Sequence, residues 1–444
     1  MIRIGGLNLR SISSTPFQEA LRPRIDVTAA FEFNSTMVAH SHSSEPAKVR
    51  SATRGRLRLF RSIAVLFGMI AGLVLVEAGL RIIEKRSLIQ TPGVISDPVL
   101  GMRIVPNAPG HDARGFRNSQ ALARADVVAI GDSQTWGVNV LAADAWPQQL
   151  ARLSGLSVYN MGIGGYGPDQ YLILTDQALQ LSPRTIVVGL YLGNDLYDAY
   201  RLTYRNDAFA DMRLASPPDE LRQDTILKRS DAFWNEEKNF HNNYGRDSVR
   251  GLNIWLREHS AIGRLLNRAR LWPGASDIDF EIDRDWARAY SDHGLVCEDE
   301  NIRTVFTAAY RLTGLDLDDP RVAEGLRITK IVLMRIRQKV DGRANLVVLM
   351  IPTKELVYAD LMSNQGVANA TYARDVEMER KSRDDLMSWF HDNGIESIDA
   401  LPQMQSAIAR RQQLYPSTTE SHPNTSGYGV IAGVVNDAFR ALPR

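Results

Sequence analysis

The sequence predicts an α/β fold: a flavodoxin-like three-layer sandwich with a parallel sheet of about five strands, a helical insertion and one N-terminal transmembrane helix. Three observations lead there. From Ala125 onward, short apolar β-rich runs alternate with segments whose apolar residues recur at helical spacing, the signature of strand-helix units in a parallel sheet. The run RTIVVGLYLGND (184–195) is apolar without alternation, which suits a strand covered on both faces. Far upstream, IAVLFGMIAGLVLV (63–76) carries no charged residue.

The elements follow in order. ADVVAIG (125–131) reads as the first strand of the sheet, and AWPQQLARLSG (145–155) as a helix with Asp144 as its cap and Gly155 at its stop. LSVYNMG (156–162) is a second strand and PDQYLILTDQALQL (168–181) a second helix. After the third strand, RTIVVGLYLGND, comes a long interruption, then the helix VAEGLRITKIVLMRIRQKV (322–340) and the strand ANLVVLMIP (344–352). A helix around EMERKSRDDLMSWFHDNG (377–394), a short strand IESIDAL (395–401) and a last helix from about 426 to 441 complete the pattern. In such a sheet ligands bind at the carboxyl ends of the strands.

With 444 residues, 44% hydrophobic and 23% charged, the chain is long enough for one large core and an additional module. A net charge of +1 gives no reason to expect nucleic acid as a partner. The lone Cys297 excludes an internal disulfide and a Cys-based zinc site.

The apolar run continues to Ile83, broken only by Glu77 and Arg81, and with these flanks it reaches the length of about 20 residues that a bilayer requires. We expect an anchor over 58–85, with residues 62–83 in the membrane. Lys48, Arg50, Arg54, Arg56, Arg58 and Arg61 precede it, whereas Arg81, Lys85 and Arg86 follow. This excess places the N-terminus in the cytoplasm and the remainder outside it, at a bacterial inner membrane. No small-residue cleavage pattern follows, which favours an uncleaved anchor; a buried core helix is the alternative. Residues 1–57 read as a disordered cytoplasmic tail, 86–124 as a lead-in segment and 125–444 as the main domain. Met37 is a second candidate start. His40-x-His42 offers at most a weak metal pair in a flexible tail.

VVAIGDSQTWG (127–137) puts Ser133 between a strand and a helix. There the free N–H groups of a helix start can stabilise an oxyanion, so Ser133 is placed either as a nucleophile or as a helix cap. His422, in the polar loop TTESHPN before the last helix, falls on the same sheet edge and supplies a base. Glu420, two residues earlier, can orient its imidazole. Gly162, Gly164 and Gly167 spell a dinucleotide fingerprint, yet the next strand ends without the acid that motif requires, and Pro168 removes a backbone N–H.

These blocks together resemble the SGNH or GDSL hydrolases, over about 126–441 apart from the insertion. GDSQTWG is similar to the nucleophile block, with Ser133 in the nucleophile position. NMGIGGYG is similar to the second, where the resemblance implies an N–H oxyanion donor at Gly165, with Gly164 next to it. YLGND is similar to the third, implying the Asn194 amide as a donor, although GND is also good turn chemistry. ESHPN is similar to the last, with His422 as base and Glu420 as acid. Many members carry Asp three residues before the histidine, where this chain has Thr419, so a Ser-His pair backed by a carbonyl is the alternative. Asp132 and Asp195 read as braces of their turns.

The insertion, roughly Tyr200 to Asp319, holds Trp234, Trp255, Trp272 and Trp286. These either form the core of a helical subdomain or a sugar-stacking platform. The segments DPVLGMRIVPN…GFRN (97–118) and IPTKELVY (351–358) resemble membrane-anchored bacterial relatives and relatives handling O-acetyl groups on exopolysaccharide. The resemblance implies a serine esterase acting on O-acyl groups of cell-envelope polysaccharide or on a small ester. An O-acyltransferase with the same Ser-His machinery and a silent glycan-binding protein are the alternatives. No cofactor or metal is implied.

Overall fold

The computed structural model describes residues 49–85, 93–244, 256, 260–268, 275–299, 301–366, 369–441. The readings on residues 1–48, including Met37 and the His40-x-His42 pair, and those on Trp255 and Trp272 lie outside the described residues.

One helix runs from Val49 to Lys85, so it begins inside the segment expected to be a tail. Within it Arg56–Arg81 is long and apolar enough to cross a membrane; its 26 residues rise roughly 39 Å. Leu66, Phe67, Leu73 and Leu75 are all exposed along it.

After this helix, β1 (Val94–Asp97) and β2 (Gly101–Ile104) pair antiparallel in a hairpin. The main sheet follows: β3 (Val127–Gly131), β4 (Val158–Asn160), β5 (Thr185–Tyr191), β8 (Asn345–Ile351) and β9 (Glu396–Asp399). Its strands lie in the order β4-β3-β5-β8-β9, all parallel. This is the doubly wound order of flavodoxin-like folds, whose switch point falls between β3 and β5.

Period-two alternation explains how apolar strands serve two faces. Val128 and Ile130 of β3, Ile186 and Val188 of β5, and Val348 and Met350 of β8 pack on one side with Leu172, Val332 and Ile336. Val127 and Ala129, Val187, and Val347 and Leu349 face the other, against Trp146, Leu150, Met404 and Ile431. The helices Pro168–Leu179 and Pro320–Val340 thus cover one face, and Trp146–Ser154, Leu401–Ala409 and Thr425–Ala441 cover the other.

The helix expected to be capped by Asp144 starts one residue later. Ala145 is its N-cap, with no side-chain hydrogen bond, and Pro147 lies in its first turn. Asp144 closes a 3₁₀ turn instead. Gly155 ends this helix in the left-handed conformation, φ 73°.

Between β5 and β8 the chain forms the helices Thr225–Asn243, Ala275–Ala289 and Ala308–Leu315. It also forms an antiparallel pair, β6 (Leu295–Glu298) and β7 (Arg303–Phe306), which helical patterning does not announce. Phe233, Phe280, Trp286 and Val305 make a separate apolar cluster there. Trp286 is fully buried and therefore core, whereas Trp234 is 37% exposed.

Candidate active site

Ser133 opens a single helical turn, Ser133–Trp136, directly beyond the carboxyl end of β3. Asp132, fully buried, caps that turn by accepting from Gln134 N–H at 2.8 Å, so the cap is its neighbour and not the serine. Burial raises the Asp132 carboxyl to about 6, against the Gln134 N–H that favours its charged form. Gly131 and its register partner Gly189 leave room for Thr135 beneath the turn: a Cβ on them would stand 2.2 and 2.6 Å from Thr135 Oγ1. Gly137, φ 87°, releases the chain again.

The last loop brings His422 to the serine. His422 Nε2 lies 2.8 Å from Ser133 Oγ, and His422 Nδ1 lies 2.5 Å from Glu420 Oε1. Glu420 Oε1 also accepts from the His422 backbone N–H at 3.0 Å. Burial pushes the Glu420 carboxyl up, but hydrogen bonding and charge from His422, that N–H and the charge of Lys354 more than offset it, leaving it at about 2. An ionised carboxylate on Nδ1 fixes the tautomer in which Nε2 is free to accept the serine proton.

The second block is stitched to the serine turn through Asn160. Its Nδ2 donates to Thr135 O at 2.9 Å, while its Oδ1 accepts from Gly162 N–H at 2.8 Å. Asn118, from the lead-in segment, donates to Asn160 O at 2.9 Å and accepts from Asn160 N–H at 3.0 Å. A Cβ on Gly164 would sit 3.8 Å from Ser133 Cβ, whereas the nearest atom to one on Gly165 is Met102 Cε at 3.6 Å. Gly165 adopts φ 80°. It borders a hollow of about 380 Å³ shared with Leu100, Met102, Tyr166, Asp198 and Arg201.

Asn194 is the N-cap of the helix Asp195–Arg205 but makes no capping hydrogen bond. Its Nδ2 donates instead to Asp198 Oδ2 at 2.7 Å, which orients the amide and leaves a second N–H. Asp195 accepts from Tyr191 N–H at 2.8 Å and Tyr171 O–H at 2.9 Å, bracing the turn. Burial, then the charge of Asp132, raises its carboxyl well above the usual range.

Two buried cations hold the loops, and motif reading does not find them. Arg311 donates to Gly193 O at 3.2 Å and to Ser421 Oγ at 2.6 Å, joining the Asn194 turn to the base loop. Lys354, just past β8, donates to the carbonyls of Val305 at 2.6 Å, Thr418 at 3.0 Å and Glu420 at 3.1 Å. Burial lowers its ammonium to about 8, although Glu355 and Glu420 favour the charge. The signal available for Lys354 was its place at a strand's carboxyl end, in the IPTKE run. Arg311 lies inside the insertion and carries no local pattern.

No protein-family model matches the chain, and no curated protein matches it in sequence. Among solved structures, a protein described as lipolytic and of the G-D-S-L family from Desulfitobacterium hafniense DCB-2 matches with 11% identity and a TM-score of 0.32, covering 70% of this chain and 97% of its own. A member of the lipolytic protein G-D-S-L family from Veillonella parvula DSM 2008 shows 12% identity and a TM-score of 0.32 over 71% of this chain and 98% of its own. A protein described as an acylhydrolase from Bacteroides fragilis NCTC 9343 shows 11% identity and a TM-score of 0.28, over 71% and 86%. The chain is thus similar in structure to G-D-S-L lipolytic proteins, at TM-scores too low to carry an argument, and its fold rests on the strand order and register above.

Proposed function

We propose that this chain is a serine esterase of the SGNH type, anchored by its apolar helix with the main domain outside the cytoplasm, and acting on O-acyl groups of cell-envelope polysaccharide. The observation that carries the reading is the hydrogen-bonded run Ser133–His422–Glu420 at the switch point of the sheet.

In this reading Ser133 Oγ attacks the ester carbonyl carbon while Nε2 of His422 takes its proton. The carbonyl oxygen becomes an oxyanion. Its donors are the Ser133 N–H, which has no intrahelical partner at a helix start, the Gly165 N–H and the second Asn194 N–H. The C–O bond to the sugar then breaks, and His422 returns the proton to the departing hydroxyl. Water attacks the acyl-serine, its proton passing to His422, and the free acid leaves as Ser133 is restored. Glu420 stays ionised throughout and stabilises the imidazolium.

Three features support the envelope location and the substrate. The basic residues before Ile63 favour a cytoplasmic N-terminus. The IPTKELVY segment resembles relatives that handle O-acetyl groups. Trp234, partly exposed in the insertion, offers a face for a sugar ring.

The test is labelling of the detergent-solubilised protein with a serine-reactive phosphonate, alongside acetate release from acetylated polysaccharide. We expect an adduct on Ser133, lost in Ser133→Ala and weakened in His422→Ala. Absence of any adduct, with glycan binding unchanged in both variants, points to a silent binding protein. Transfer of acyl to an added polysaccharide, without acid release, points to a transferase.

A further inference from the structure

A second cluster of ligating side chains lies in the insertion, one contact away from the base loop. Glu237 and His241 stand four residues apart on the helix Thr225–Asn243, so they share one helix face. Asp283, 2% exposed, meets them from the helix Ala275–Ala289. One ligand atom from each of the three falls within 4.8 Å of the others.

Hydrogen bonding within this cluster is incomplete. His241 Nε2 lies 2.8 Å from Asp283 Oδ1 and 3.9 Å from Glu237 Oε1. The close approach to Asp283 is an ion pair, and this buried nitrogen has no well-formed hydrogen bond. Two carboxylates face one imidazole across this gap, and Asp279 adds a further negative charge to the surroundings of His241. The other oxygen of Asp283, Oδ2, accepts from Thr419 N–H at 2.6 Å.

We propose that Glu237, His241 and Asp283 form a binding site for a divalent transition-metal cation of the zinc type. An imidazole nitrogen with two carboxylate oxygens suits zinc or manganese and not the all-oxygen shells of calcium and magnesium. A cation between these atoms takes the place of the Nε2 proton and offsets the paired carboxylates. It also has a structural consequence. Thr419 donates its N–H to Asp283 and its hydroxyl to Glu237 Oε1 at 3.2 Å, so the ion ties the insertion to the residue immediately before Glu420. The role is that of a clamp outside the reacting atoms, and the assignment stands whether or not Ser133 is a nucleophile.

The full chain in detergent, stripped with a chelator, should be titrated with Zn²⁺ by calorimetry, with unfolding temperature followed in parallel. We expect saturable binding of a single Zn²⁺ that raises the unfolding temperature, weakened at least about tenfold in both His241→Ala and Glu237→Gln. Glu237→Gln keeps the side chain's size and its acceptor for Thr419, so it guards against simple loss of fold. No saturable binding overturns the proposal. Binding undiminished in either variant does so too, since the ion then sits elsewhere, for example on His40 and His42.

Discussion

His422 Nε2 stands 2.8 Å from Ser133 Oγ although 289 positions separate the two residues along the chain. The sheet closes that distance. β3 sets the serine at one carboxyl end, and the loop before the last helix crosses the same edge, where Lys354 and Arg311 hold it from beneath.

The first prediction concerns Glu420. Its carboxylate fixes the imidazole through Nδ1, so Glu420→Ala should lower kcat by on the order of 10³–10⁴ with little change in KM. Turnover of p-nitrophenyl acetate measures it. A loss smaller than about tenfold assigns the acid to another group.

Asn194 carries a second expectation. Asn194→Ala removes a donor proposed for the oxyanion and should cost about 10²–10³ in kcat. Asp198→Ala leaves the amide in place but frees its orientation, so its effect should be the smaller of the two. Equal losses would mean that the pair serves the fold and not the oxyanion.

Lys354 makes activity and stability diverge with pH. In the folded protein its ammonium titrates near 8, whereas in the unfolded chain it holds its proton to about 10.4. Between these values the unfolded state binds more protons, so the contribution of this group to stability rises with pH. Below about 8 the folded state bears the full cost of the buried charge. Deprotonation, however, removes one of three donors from the carbonyls that hold the base loop. The rate should therefore fall above pH 8 while this group makes the fold no weaker, and Lys354→Met should abolish that limb of the profile. Rate profiles and urea unfolding on either side of this pH test it; an unchanged alkaline limb in the variant removes Lys354 from the account.

Two glycines of the second block should behave differently. A Cβ on Gly162 would lie 2.4 Å from Trp136 N and 2.7 Å from Thr135 C, both backbone atoms of the serine turn. Gly162→Ala should cost about 1–3 kcal/mol of stability and displace the turn. Gly164→Ala meets only an ordinary contact at 3.8 Å, and its melting temperature should stay near that of the wild type. Calorimetric unfolding of both variants compares them directly.

What could be read from the sequence follows from how far each determinant reaches. Strand-helix alternation is local, and it predicts the parallel sheet. Ser133, Asn194 and His422 sit in short blocks whose chemistry is visible in a few letters. The meeting of Ser133 with His422 is a consequence of the sheet edge. The cap falls on Ala145 and not on Asp144, which meets the composition rule but closes the preceding 3₁₀ turn. Arg311, Lys354 and Asn118 act on backbone carbonyls or amides tens to hundreds of positions away, and such partners leave no periodic trace. His241 carries no local signal because Asp283 faces it from a different helix.

The saddle beneath the serine turn has an evolutionary consequence. Thr135 rests in a notch cut from two neighbouring strands by Gly131 and Gly189, 58 positions apart in sequence but side by side in register. A methyl group on either strand collides with the threonine hydroxyl, and shrinking the threonine alone opens a void. Drift at these three sites is therefore concerted: among descendants of this chain, a bulkier residue at 131 or 189 should be found only where position 135 has already become smaller.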